Sequence, residues 1–197
     1  DTLLKSDNVP IRPERLCSEL TNLVPSNSLI AVDTGHAGMW MGGMFDITSP
    51  SQNYIRSAGH LGWAFPAALG AKCALPHRPV ICFTGDAGFW YHIAEIETAV
   101  RWNINSIIVV NNNSAGNQSK TGFDRAYGGT QTEEAKKMWN FTKVNFANIA
   151  NEIGALGLRV EKPGQFGGAL DQALEAKRPV IIDVVTDVNA IAPAAVS

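Results

Sequence analysis

Cysteine is scarce, long apolar runs are missing and neither sign of charge dominates; each shortage removes a class of protein. The three cysteines, Cys17, Cys73 and Cys82, are odd in number and never spaced as C-x-x-C, so neither a disulfide framework nor a zinc site is indicated. They are expected to be buried free thiols. No apolar stretch reaches the roughly 18 residues that span a bilayer, and no charged start leads into an apolar core as in a secretion signal. A formal net charge of −2, with Lys and Arg scattered along the chain, offers no basic face to nucleic acid. Internal repeats and low-complexity tracts are also lacking, and a cytoplasmic globular protein is expected.

What is present suffices for one domain: 197 residues with 45% hydrophobic content can bury a full core. Residues 1–13 are polar and bounded by proline, which reads as a linker or a processed start. The body of the domain is expected over 14–186. The small, alanine-rich tail 187–197 is expected on the surface.

Val/Ile-rich runs recur at 28–32, 54–56, 80–84, 106–110, 157–160 and 180–185. Little polar alternation within them indicates strands covered on both faces, the habit of a parallel sheet. Between them, apolar spacing predicts helices over 14–23, 61–74, 89–103, 145–156 and 165–176. Alternation of this kind gives a doubly wound α/β fold, a six-stranded, mostly parallel sheet with helices on both faces. Residues 117–140 break the rhythm with three glycines and no sustained apolar period; they read as a long irregular insert, of the kind that more often serves function than decoration.

The most specific signal is a pair of short polar stretches. Gly85-Asp86-Ala87-Gly88 follows one predicted strand and Asn111-Asn112-Asn113 follows the next, with Asp86 and Asn113 standing 27 positions apart. One helix and one strand fit between them, so both side chains can finish at the carboxyl edge of a sheet, where open α/β folds bind ligands. Magnesium takes hard oxygen ligands and commonly completes its shell with phosphate oxygens and water. One carboxylate and one amide oxygen suit that shell. Ala87 and Gly88 are small enough for backbone N–H groups to approach an anion, helped by the positive end of the following helix. Either stretch alone is an ordinary turn or strand ending; their joint occurrence at this interval is the informative observation.

Gly-Asp-Gly followed after such an interval by Asn-Asn is the signature of thiamine-diphosphate enzymes, and this chain resembles their diphosphate-binding (PP) domain. Two further segments are similar to the acetolactate synthase-like branch: Ser57-Ala58-Gly59-His60-Leu61-Gly62-Trp63-Ala64-Phe65-Pro66, which continues to Ala71, and Thr186-Asp187-Val188-Asn189-Ala190-Ile191-Ala192-Pro193. The likeness extends from about Arg12 to Pro193. It implies thiamine diphosphate and Mg2+ as cofactors, with Asp86, Asn113 and the Ala115 carbonyl as metal ligands. It further implies that Gly59 offers its carbonyl to the cofactor's exocyclic amine and that Leu61 is the apolar wedge beneath the bend between the two rings, although an ordinary core leucine is the alternative. Gly85, Ala87, Gly88 and Gly116 belong to the implied cofactor-binding set.

By the same resemblance, a ylide adds to a 2-oxo acid, carbon dioxide departs, and an enamine is protonated or joined to a second carbonyl: lyase or carboligase chemistry. The glutamate that such enzymes use to form the ylide belongs to a separate pyrimidine-binding (PYR) domain, for which this chain has no room. A partner subunit, or the remainder of a longer polypeptide, is therefore expected to complete the site within a dimer or tetramer of active units.

Departures from the family pattern carry information too. Ala87 replaces the second glycine of Gly-Asp-Gly, and Val188 stands where proline is usual. Gly35-His36-Ala37-Gly38-Met39-Trp40 aligns with a diphosphate-holding Gly-Gln-His-Gln-Met-Trp segment whose Gln and His side chains are missing here, leaving Gly35 and His36 as candidates for that contact. Gly122 occupies the place of a tryptophan of acetolactate synthases, which disfavours that particular activity. Asn117, Gln118 and Lys120 either meet a polar substrate or form a solvated loop face. His60 and His92 flank the site and are candidate acids or bases, or simply hydrogen-bonded histidines. Two alternatives to the lyase or carboligase stay open: a 2-oxo acid oxidoreductase or oxidase, which needs electron carriers not evident here, and a non-catalytic regulatory subunit.

Overall fold

The computed structural model describes residues 2–193; Asp1 of the leading segment and residues 194–197 of the tail lie outside the described residues. Six strands form one sheet: β1 (Leu29–Val32), β2 (Asn53–Arg56), β3 (Val80–Gly85), β4 (Ile107–Asn112), β5 (Leu156–Val160) and β6 (Val180–Val185). Their order is β2-β1-β3-β4-β6-β5, and every pairing is parallel. The central strands β1, β3, β4 and β6 are almost wholly buried, whereas the edges β2 and β5 are partly exposed. Continuous Val/Ile runs therefore mark the strands with neighbours on both sides.

From β1 the chain steps outward to β2, then returns to place β3 on the other side. The strand order thus reverses between β1 and β3, and a crevice opens outside their carboxyl ends.

Helices cover both faces. On one lie α1 (Pro13–Leu23), α2 (Gly35–Met44) and α9 (Gln165–Glu175), packed over Ile30, Val32, Phe83, Val109, Ile182 and Val184. On the other lie α3 (Ala64–Ala74), α4 (Asp86–Tyr91), α5 (Glu95–Arg101) and α8 (Phe146–Ile153), over Ala31, Cys82, Ile108, Val110 and Ile181. The two helices α6 (Asn117–Ala126) and α7 (Glu133–Lys137) follow β4. A Cβ on Gly157 would stand 1.9 Å from the Ala147 carbonyl oxygen, so β5 and α8 meet at a distance only glycine permits. No helix among the described residues is long and apolar enough to cross a membrane.

Several expectations need correction. The helix expected over 89–103 is two helices joined by i→i+3 turns, with His92 N–H donating to Phe89 O at 3.2 Å and Glu95 N–H to His92 O at 2.9 Å. Such turns preserve the apolar spacing, and Phe89 and Ile96 are both fully buried, so periodicity could not reveal the break. The helix expected from Leu61 starts at Ala64. The insert 117–140 is not irregular: it holds α6, which buries only Asn117 and so lacks an apolar stripe, and α7, capped by Thr132, whose side chain accepts from Ala135 N–H.

Helix α2 was not expected at all, because four glycines lower its intrinsic propensity. Packing explains two of them: a Cβ on Gly38 would lie 2.7 Å from Asp33 O, and one on Gly43 2.8 Å from Pro193; Gly35 holds a positive φ of 66°. Cys17 and Cys82 are buried but Cys73 is exposed, because it lies on the outer side of α3. The tail also departs from expectation, since Ala190 and Ala192 are buried. Ile11, near the end of the leading segment, is buried and bridges Thr186 in parallel, and Arg12 pairs with both Glu14 and Asp187.

Candidate functional site

Outside the carboxyl ends of β1, β3 and β4 lies a cavity of about 410 Å³, within the range of small-molecule sites. Three segments build it. The turn after β1 and the start of α2 contribute Gly35 and His36; the β3–α4 junction contributes Gly85, Asp86, Ala87 and Gly88; the β4–α6 turn contributes Asn111, Asn113, Ala115, Gly116, Asn117 and Gln118. Leu61, Trp90, Tyr91 and Met138 supply apolar wall.

Asp86 and Asn113 converge. The Ala115 amide lies 3.1 Å from Asp86 Oδ2 and 3.1 Å from Asn113 Oδ1, so one N–H serves both oxygens. Asp86 Oδ1 accepts from Ala87 N–H at 2.7 Å. Burial pushes the Asp86 carboxyl up to about 7, with backbone N–H bonds from Ala87, Ala115, Ser114 and Asn113 acting the other way. Ser114 holds a positive φ of 56°, which turns the chain sharply enough to bring Ala115 back beneath Asn113.

These residues suit a hard divalent cation. The donor set is a buried carboxylate, an amide oxygen and a nearby backbone carbonyl, all oxygen. Among the described residues no group of three or more His, Cys, Asp or Glu could hold a metal by itself; an ion bound here would take the rest of its shell from other oxygens, such as those of phosphate or water. Room for one exists: a Cβ on Gly85 would meet nothing within 4 Å. Helices α2 and α6 also begin at the cavity with no side-chain cap, leaving first-turn N–H groups free for an anion.

Sequence reasoning overlooked Asp33, which immediately follows β1. It is fully buried and accepts from Thr84 Oγ1 at 2.8 Å and from Gly62 N–H at 3.0 and 3.1 Å. Burial raises its carboxyl, opposed by those hydrogen bonds. Gly62 has φ +89°, and a Cβ there would lie 2.9 Å from the Tyr91 Cβ; a Cβ on Gly88 would lie 2.5 Å from Asp33 Oδ2. Asp33 thereby staples the turn carrying Leu61 onto β3 and α4. A lone aspartate closing an apolar strand was the available signal.

Other candidates fall outside. Gly59 and His60 do not line the cavity; both are exposed, and His60 N–H bonds Ser57 Oγ at 2.9 Å in a surface turn. His92 and Lys120 also stand off the lining. Lys120 instead pairs with Asp124 at 3.1 Å and lies over the Trp139 ring.

Residues 33–184 match the sequence profile of "Thiamine pyrophosphate enzyme, C-terminal TPP binding domain". The chain belongs to the thiamine pyrophosphate enzyme family. It is 34% identical over 189 residues to an acetolactate synthase of Bacillus subtilis, covering 93% of this chain and 31% of that protein. A probable acetolactate synthase large subunit of Methanococcus aeolicus is 30% identical over 189 residues, covering 92% and 31% respectively. Among solved structures, a thiamine diphosphate-dependent 4-hydroxybenzoylformate decarboxylase of Rhodococcus jostii superposes with a TM-score of 0.79 at 26% identity, covering 92% of this chain and 34% of that one. The chain thus spans about a third of the length of the relatives it matches. It is a thiamine diphosphate-binding domain, with the all-parallel α/β fold of that family and kinship to acetolactate synthases and decarboxylases.

Proposed function

We propose that this domain forms the diphosphate-binding half of the active site of a thiamine diphosphate-dependent lyase or carboligase acting on a 2-oxo acid or related α-carbonyl compound. Asp86, Asn113 and the Ala115 carbonyl would hold Mg2+ against the diphosphate. The observation that carries this is the convergence of Asp86 Oδ2 and Asn113 Oδ1 on one amide, 3.1 Å from each, in the cavity wall. When bound, thiamine diphosphate supplies a carbanion that adds to the substrate carbonyl and stores the electrons released with carbon dioxide.

The chain's own residues bind, orient and exclude water. Gly85, Ala87, Gly88 and Gly116 line the cavity where the diphosphate would sit, and Gly35 and His36 would add to that wall from the start of α2. Leu61, held through Gly62 by Asp33, presents an apolar surface at the cavity and would act as the wedge under the cofactor rings; the Gly59 carbonyl lies upstream on the same turn. Trp90 and Tyr91 keep that side apolar, which strengthens charge interactions within.

A PYR domain, on a partner subunit or on the remainder of a longer polypeptide, would supply the ylide-forming glutamate and cover the mouth. Support comes from the apolar rim: Leu61, Trp90, Tyr91 and Met138 are exposed at the cavity, a cluster suited to burial against protein. A dimer or tetramer of such units follows.

Calorimetric titration of thiamine diphosphate with and without Mg2+, on the protein with its PYR domain, tests the proposal. Magnesium-dependent binding that Asp86→Ala abolishes is expected. Its absence in the wild-type assembly would refute the proposal. A panel of 2-oxo acids, with carbon dioxide, aldehyde and ketol measured, then fixes the reaction.

A further inference from the structure

We propose that Asn111 is a specificity residue for the terminal phosphate of the cofactor, reading diphosphate against monophosphate from a recess beside the metal-binding pair; this rests on the thiamine diphosphate function proposed above. Asn111 is 3% exposed, lines the cavity, and its Oδ1 is buried with no hydrogen-bond partner. Its neighbour Asn112 is equally buried but fully bonded: Nδ2 donates to Asp183 Oδ1 at 2.8 Å and to Val144 O at 3.0 Å, and Oδ1 accepts from Ser114 N–H at 3.2 Å. Leaving a buried amide oxygen unpaired is costly and calls for a reason.

The surroundings point to a ligand. In the β3–β4 register Asn111 pairs with Gly85, where a Cβ would meet nothing within 4 Å; the space beside the amide is therefore open. Asn111 precedes Asn113 by one pleat on the same strand path, so it stands deeper than the metal-binding amide. His36, at the start of α2, lines the same cavity and has a buried Nδ1 without a partner. Burial lowers the His36 imidazole, so the neutral ring can offer an N–H there. The other end of the Asn111 amide, Nδ2, is not enclosed in this way and is a donor. The two side chains thus give uncharged donors to a group rich in acceptor oxygens. The uncapped starts of α2 and α6 flank them. The phosphate esterified to the thiamine is common to both esters; only the diphosphate has a second one that could extend to Asn111.

Dissociation constants for thiamine diphosphate and thiamine monophosphate, measured with saturating Mg2+ on the intact protein, test this. Asn111→Leu keeps the branching of the side chain and removes both polar atoms. Its expected effect is about a tenfold loss of diphosphate affinity, as for one hydrogen bond to a charged group, with monophosphate affinity unchanged. Asn111→Asp, nearly isosteric, places a carboxylate against the phosphate and should reduce diphosphate affinity further, and it serves as the second variant should Asn111→Leu fold poorly. An unchanged ratio of the two constants in both variants overturns the role of Asn111 while leaving the site itself standing. Failure of the wild type to bind thiamine diphosphate with Mg2+ overturns the site as well.

Discussion

Asp86, just past the end of β3, and Asp183, within β6, are both buried aspartates satisfied in opposite ways. Asp183 on β6 is fully enclosed; it accepts from Asn112 Nδ2 and Phe146 N–H, both at 2.8 Å, and is paired with the Arg159 guanidinium. Every oxygen there has a side-chain or backbone donor and a cation close by. Asp86 has only backbone N–H donors, and no cationic side chain among the described residues pairs with it. Its remaining capacity faces the cavity. The contrast teaches that a closed carboxylate holds the fold together, whereas one left short of positive charge keeps a place for a ligand that brings it.

The largest expected effect is at the closed end of this contrast. Asp183→Ala would leave Arg159, Phe146 N–H and Asn112 without their acceptor and should cost about 3–5 kcal/mol of stability, read by denaturant unfolding; cofactor affinity of the folded protein should scarcely change. Asp86→Ala should do the reverse. Removing a metal ligand is expected to lower Mg2+-dependent thiamine diphosphate affinity about a hundredfold, about 2.8 kcal/mol at 1.4 per factor of ten, while stability without ligand falls only by about 1 kcal/mol, for the backbone donors left without an acceptor. A large loss of stability in this variant would erase the distinction.

Asp33 lies between the two and sharpens it. Asp33→Ala strands the donors of Gly62 and Thr84, costing about 2 kcal/mol, and also frees the Leu61 turn, so stability and cofactor affinity should both fall. Equilibrium unfolding and calorimetry on the same preparation decide whether they fall together. The smallest effect belongs to Leu61→Ala, which should leave stability within about 0.5 kcal/mol because the side chain is 36% exposed. Turnover of the complete assembly should nevertheless drop if Leu61 supports the cofactor rings.

Much of this architecture was legible in the sequence because strands covered on both faces have to be apolar throughout. The runs ending at Thr84 and Val110 led straight to β3 and β4, and the Asp86 to Asn113 interval placed both residues at one edge. What escaped notice did so for physical reasons. Helix α2 hides behind its glycines, of which Gly38 and Gly43 are required by close neighbours and Gly35 by its positive φ. Helix α6 hides because its outer faces are polar. The split between α4 and α5 hides because tight turns keep the side-chain period. Asp33 looked like the end of a strand, since one aspartate carries no spacing and its acceptors' partners, Thr84 and Gly62, are far away along the chain. Gly59 and His60, the first assigned by family resemblance and the second by its place in the chain, are exposed and off the cavity lining.

The hydrogen bond between Asn112 and Asp183 also fixes the alignment of β4. Strand β4 and its exit read Ile-Ile-Val-Val-Asn-Asn-Asn from 107 to 113, a doubled pattern in which sliding by one residue would exchange like for like at nearly every step. Hydrophobicity alone would tolerate that misalignment, which would swap an inward brace for a cavity-facing amide. The grip of Asp183 on a single asparagine therefore acts as an index pin for the strand.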